Sequence, residues 1–171
     1  SSIDPAIRQL VRLGCAGQMR CGTWAHGIPP GGYGAVNQVG MVVFMGLILA
    51  HDAGFDVDDD VIVKATEFFG RAAGTILPYG DHAVEAARYN RYQPGGDNGS
   101  CSTNAINLNL LGAADLAGRT SRLACYMYRG RLAGHGDRMF PISWGPVGAA
   151  LAPKHEFHMF MNNLIWYYEL S

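Results

Sequence analysis

The chain has 171 residues, 49% hydrophobic and 16% charged, with a formal net charge of −1. That length suits one domain with a sizeable core, and that composition excludes a disordered chain. The near-zero charge, with no basic face along the sequence, excludes nucleic acid as the main partner, because binding phosphates requires clustered Lys and Arg.

Asp4-Pro5 opens the first predicted helix, Asp as N-cap and Pro in the first turn. Ile7, Leu10, Val11 and Leu13 give it an apolar side opposite Arg8 and Arg12, and it ends near Gly14 to Gly17. A loop through Trp24, His26 and Pro29-Pro30-Gly31-Gly32 follows. The second predicted helix runs from about Ala35 to His51 and contains the longest apolar run, Val39 to Ala50. This run is too short to span a bilayer, which takes about 20 residues. Being apolar all round, it is expected to be enclosed by other helices.

The acidic stretch Asp56 to Asp60 precedes a third helix, with Val61, Ile62, Ala65, Phe68, Phe69 and Ala72 on one face and Lys64, Glu67 and Arg71 on the other. A long loop from Gly74 to Gly99 is expected, with a short helical turn within Ala83 to Arg88. The fourth helix, about Ser102 to Ala117, is apolar but carries Asn104 and Asn107 three apart on a shared face. An amphipathic fifth follows from about Arg119 to Tyr128, then the loop Gly130 to Pro141 and a sixth element around Trp144 to Leu151. The last helix, about Lys154 to Leu170, carries Phe157, Phe160, Met161, Leu164, Ile165 and Tyr168 on one stripe.

Inner apolar helices thus alternate with outer amphipathic ones, and no run of β-branched residues with period two appears, so the expected class is all-α. The Gly-rich loops echo one another. Pro30-Gly31-Gly32 and Pro94-Gly95-Gly96 each lead into an inner helix, and Ala53-Gly54 and Ala117-Gly118 are expected to close them. Gly112-Ala113-Ala114 recurs as Gly148-Ala149-Ala150. Self-similarity at this spacing implies stacked helical hairpins, because one hairpin cannot bury its apolar face alone.

Alternating inner and outer helices with Gly-rich lead-in loops resemble an α/α toroid, the architecture of terpenoid cyclases, protein prenyltransferase β subunits and lanthionine-forming cyclases. The segments Gly31 to Gln38, Gly134-His135-Gly136-Asp137, Trp144 to Ala150 and Trp166 to Leu170 look most like an uncharacterised bacterial family of toroid proteins. The resemblance implies a toroid-like array and transfers no reaction. About three and a half hairpins are present, so an incomplete ring is expected, completed by further residues or by a second copy. Asp56-Val57-Asp58-Asp59 matches the DxDD string with which class II terpene cyclases protonate substrate. Directly before an amphipathic helix, however, such residues cap exposed N–H groups and oppose the helix dipole. Prenyltransferase zinc sites use Asp-x-Cys, whereas Asp97 and Cys101 are spaced too widely; lanthionine cyclases need a Cys-His pair, which is absent. No metal and no cofactor is assigned. The four cysteines, Cys15, Cys21, Cys101 and Cys125, are expected to be buried thiols.

If the inner helices run parallel, their starts gather at one end and form a polar cleft suited to anions. His135, with Asp137 or Asp97 as its orienter, is the candidate acid/base. The alternative is a polar turn in which Asp137 caps the next helix. Tyr33, Asn37, Asn98, Cys101, Asn104, His26, Asp81 and His82 are the candidate substrate-binding residues. Cys101 could be a nucleophile or a small packed residue. Asn104 and Asn107 either line a wet lumen or bond to neighbouring segments. Trp24, Tyr89, Tyr92 and Trp144 either stack on sugar rings or cover the edge of the core. Two functions remain: a hydrolase or lyase acting on a glycan or similar polar molecule, and a non-catalytic binding scaffold.

Overall fold

The computed structural model describes residues 3–27, 34–75, 77, 99–127 and 142–170. Among these residues the architecture is all-α, with β pairing limited to the antiparallel bridge between Ala25 and Ala35. The expected turn within Ala83 to Arg88 and the loop Gly130 to Pro141 lie outside the described residues.

Helix α1 (Asp4–Ala16) has Pro5 in its first turn and lies against α2 (Asn37–Asp52); its N-cap is Ile3, not the expected Asp4, which lies in the first turn. Trp24 pins the two together. Its buried indole N–H donates to Gly14 O at 2.7 Å, and its carbonyl accepts from Val36 N at 2.8 Å, directly before α2. Trp24 is therefore part of the core, and its polar atom is already in use.

Helix α3 (Asp59–Gly70) starts as the acidic run implies: Asp58 is the N-cap and accepts from Asp60 N at 3.0 Å, and Asp56, Asp58, Asp59 and Asp60 all face solvent. It returns antiparallel along α2, its C-terminal Phe69 stacked on Phe44 with ring centroids 5.7 Å apart. Helix α4 (Ser100–Leu110) begins at the end where α3 finishes, because Asn104 Nδ2 donates to Phe69 O at 3.2 Å. Helices α2 and α4 therefore start at the same end of the array. Helix α5 (Ala114–Tyr126) folds back on α4.

Both inner helices stop in the same way. Gly54 N bonds to His51 O and Phe55 N to Ala50 O; likewise Gly112 N bonds to Asn109 O and Ala113 N to Leu108 O. Gly54 and Gly112 have φ of 82° and 76°, the left-handed conformation that this C-terminal motif needs and that side chains disfavour. The closing residue of the fourth helix is thus Gly112. Gly118, expected to close it, lies inside α5, and a Cβ added there would meet no neighbouring atom within 4 Å. Gly112 and Gly148, which share a tripeptide motif, do different work: one ends a helix, the other lies inside one.

That second helix is α6 (Gly145–Ala149), which crosses the first turn of α4 so closely that a Cβ on Gly148 would collide with the Ser102 backbone. Ser121 of α5 anchors it by donating to Gly148 O at 2.6 Å. The expected long last helix is divided into α7 (Lys154–Asn162) and α8 (Ile165–Leu170), separated by Asn163 and Leu164. Leu164 is buried beside Phe160 in a small second core, and Tyr168 reaches back to donate to Ile142 O at 2.9 Å.

The main core lies between α1, α2 and α3, around Met41, Phe44, Phe68 and Phe69. One expectation about it needs correction. Helix α2 is not enclosed all round: Val39 and Val42 are half-buried, and Gly46 and Leu49 are exposed. Each lies three or four residues from the next, so they form one stripe along the helix. Helix α1 covers only the neighbouring face.

Candidate functional site

The end at which α2 and α4 start is polar and closed. Thr23, Asn37, Gln38, Ser100, Asn104 and Asn107 are all buried there. Asn104 Nδ2 bonds to Phe69 O, and Asn107 Nδ2 bonds to Met41 O at 3.0 Å, so the two amides tie α4 to α3 and α2. Thr103 Oγ1 donates to Gly99 O at 3.0 Å and closes the first turn of α4. The Oγ1 of Thr23, the Oγ of Ser100 and the Oδ1 atoms of Asn104 and Asn107 find no hydrogen-bond partner among the described residues. Unsatisfied buried oxygens of this kind are uncommon in native cores.

Of the sequence-derived site residues, Asn37, Cys101 and Asn104 fall within this polar end. Cys101 is fully buried, and its thiol donates to Thr75 O at 3.6 Å. All four cysteines are free thiols; Cys101 and Cys125 are buried, Cys15 and Cys21 half-buried. His26 is exposed and directly follows the Ala25–Ala35 bridge. Tyr33, Asp81, His82, Asp97, Asn98, His135 and Asp137 lie outside the described residues.

A second feature was not anticipated from the sequence. A cleft of about 580 Å³ runs between α1 and α2. Leu10, Leu13, Gly14, Trp24, Val39, Val42, Gly46 and Leu47 are among the residues that line it. Among the described residues, no charged side chain lines it, and the one polar side-chain atom that does, the indole nitrogen of Trp24, is bound to Gly14 O. The signal was present in the all-apolar helix, which offers more apolar surface than α1, α3 and α4 cover.

Charged pairs lie elsewhere. Glu156 on α7, only 2% exposed, receives Arg122 of α5 in a two-point contact, Nε at 3.0 Å from both carboxylate oxygens and a terminal nitrogen at 2.9 Å. The hydrogen bond to Glu156, followed by its charge, raises the Arg122 pKa above its ordinary value. His51 at the C-terminus of α2 lies 3.5 Å from Asp59 at the start of α3, an exposed contact worth at most about 1 kcal/mol. Burial, then the Tyr167 charge, raises the Tyr168 phenol. Among the described residues, no group of three or more His, Cys, Asp or Glu is placed to hold a metal ion, and no helix is long and apolar enough to cross a membrane.

A family model described as a domain of unknown function, DUF6288, matches residues 1–171, the whole chain. The chain belongs to that family. Neither a curated protein nor a solved structure matches it. Membership of DUF6288 assigns no activity.

Proposed function

We propose that this DUF6288 chain is a non-catalytic interaction module, one domain of stacked helical hairpins that recognises partners through the α1/α2 cleft. The cleft carries the proposal. Its volume falls in the range of about 300–1,000 Å³ typical of ligand sites, yet among the described residues no free polar side chain in it would orient a small molecule. An apolar concavity without orienting groups suits an apolar protein surface, and contiguous exposed apolar patches commonly mark such contacts. The common starting end of α2 and α4, together with the open stripe on α2, supports a toroid-type array with an uncovered edge.

The test uses 1-anilinonaphthalene-8-sulfonate, which fluoresces in apolar clefts, at protein concentrations where the chain is monomeric. Gly46→Glu places a carboxylate at the cleft without removing a contact, because a Cβ at Gly46 meets no neighbouring atom within 4 Å. The variant is expected to lose dye binding with its helical circular dichroism unchanged. Equal binding by both proteins would refute the cleft as a recognition surface.

The unpartnered oxygens of Ser100 and Asn104 support a second reading, an enzyme acting on a glycan or other polar small molecule at the helix starts. There His135 would move the proton, Asp137 or Asp97 would orient it, and Asn37 and Asn104 would position substrate. Release of reducing ends from an oligosaccharide panel by the native chain, abolished in His135→Ala, is the result this reading requires.

A further inference from the structure

Exposed large apolar residues concentrate at the two ends of the packing order. Among the described residues, Leu10 and Leu13 of α1 line the cleft, with Ile3 and Leu49 also exposed at that end, and Met159, Ile165, Trp166 and Leu170 lie on α7 and α8; Val63, Tyr126 and Val147 are exposed singly between them. Between these ends, packing passes from α1 to α2, on to α4, then through α5 and α6 to α7 and α8. The first end is concave. The last is a short helix whose apolar side chains protrude: Leu170 is 82% exposed and Ile165 51%.

We infer that the occupant of the α1/α2 cleft is the α7–α8 end of a second copy of this chain, in a head-to-tail contact. This inference rests on the interaction-module reading and names its partner. Three observations support the head-to-tail arrangement. The cleft is apolar and uncharged among the described residues, and α8 presents Ile165, Trp166 and Leu170 to solvent beside Tyr167, Tyr168 and Glu169, so burying the three apolar side chains there removes little polar surface from water if Glu169 stays at the rim. The cleft has room for a few large side chains, which Ile165, Trp166 and Leu170 supply; two clefts face to face would leave that space unfilled, at a cost in packing. Finally, a net charge of −1 leaves little repulsion between copies. The cleft and the protruding end are different surfaces, and two copies related by a two-fold axis would each fill the other's cleft, closing the pair.

The experiment is sedimentation equilibrium over a dilution series. It compares the native chain, the doubly substituted Leu10→Glu/Leu13→Glu chain, and Trp166→Glu. The first two positions are 67% and 45% exposed and Trp166 is 37% exposed, so the variants are expected to fold, which circular dichroism checks. The native chain of 18.4 kDa is expected to associate to twice its mass, and each variant alone to stay monomeric. An equimolar mixture of the two variants, one with an intact cleft and one with an intact α8, is expected to recover the doubled mass. A monomeric native chain at every concentration would overturn the inference, as would association unaffected by Trp166→Glu. Loss in both variants without recovery on mixing would also overturn it, pointing to contact between like surfaces. Dye binding in the cleft of a strictly monomeric chain would leave the interaction-module reading standing while this inference fails.

Discussion

Asn107 on α4 donates its side-chain amide to the main-chain carbonyl of Met41 on α2, 3.0 Å away and sealed from water. The bond crosses between the two inner helices, near the common end at which both start. A buried side-chain amide bonded to a main-chain carbonyl fixes register, because sliding either helix by one residue would strand the donor. Asn107→Ala removes the bond and leaves a void, and is expected to cost about 1–3 kcal/mol. Asn107→Asp, which places a carboxylate against that carbonyl, is expected to cost more. Urea unfolding midpoints of the two variants measure this.

Two glycines should respond in opposite directions. At Gly148 a Cβ would strike the Ser102 backbone, which cannot yield as a flexible side chain would, so Gly148→Ala is expected to lose about 1–3 kcal/mol. Gly46 lies within α2 with open space around it, so Gly46→Ala is expected to gain up to about 1 kcal/mol from helix propensity. Thermal melts of both proteins decide the matter; equal shifts in one direction would contradict the close α4–α6 crossing.

Glu156 depends on Arg122. Arg122→Ala would leave a buried carboxylate without its two-point partner, and it should destabilise more than the paired replacement Arg122→Met/Glu156→Met, which removes both charges. Denaturant curves of the single and double variants test the order.

Most of the helical order was legible in the sequence, because periodicity, Asp-Pro and acidic caps are local signals. Asp58 caps α3 because a short acidic side chain can reach the next turn's N–H groups whatever the tertiary fold. Helix ends marked by glycine were harder to assign. Gly112 and Gly118 both follow apolar stretches, and only backbone geometry shows which one takes positive φ. The division of the last helix at Asn163-Leu164 was not legible, because Phe160 and Leu164 lie four apart and fit one continuous apolar stripe. In the candidate site, the burial of Asn104 and Asn107 on an inner helix was foreseeable from spacing, but their carbonyl partners, Phe69 and Met41, were not. The α1/α2 cleft arises from how far α1 covers α2, which no residue pattern specifies.

Tyr168 makes alkaline stability a test of the α8 anchor. Its phenol donates to Ile142 O, a bond that requires the protonated form, and burial raises its pKa. The unfolded phenol ionises near pH 10, so this contribution is whole below about pH 10 and is lost as pH rises through the higher folded value. Tyr168→Phe should therefore be less stable than the native chain at neutral pH and should show a smaller loss at alkaline pH. Urea midpoints across the pH series measure it; parallel pH curves for the two proteins would contradict the anchor.

The central claim is that the α1/α2 cleft of one copy of this chain takes the α7–α8 end of another. Methyl nuclear magnetic resonance of Ile-, Leu- and Val-labelled protein across a dilution series tests it most directly, since Leu10, Leu13, Val39, Val42 and Ile165 all carry reporters. The account predicts concentration-dependent shifts in the cleft methyls, together with Ile165 and Leu170, and little change in Leu108 beside the buried amides. Spectra that do not change with concentration, or changes centred on Leu108 and the starts of α2 and α4, would contradict it.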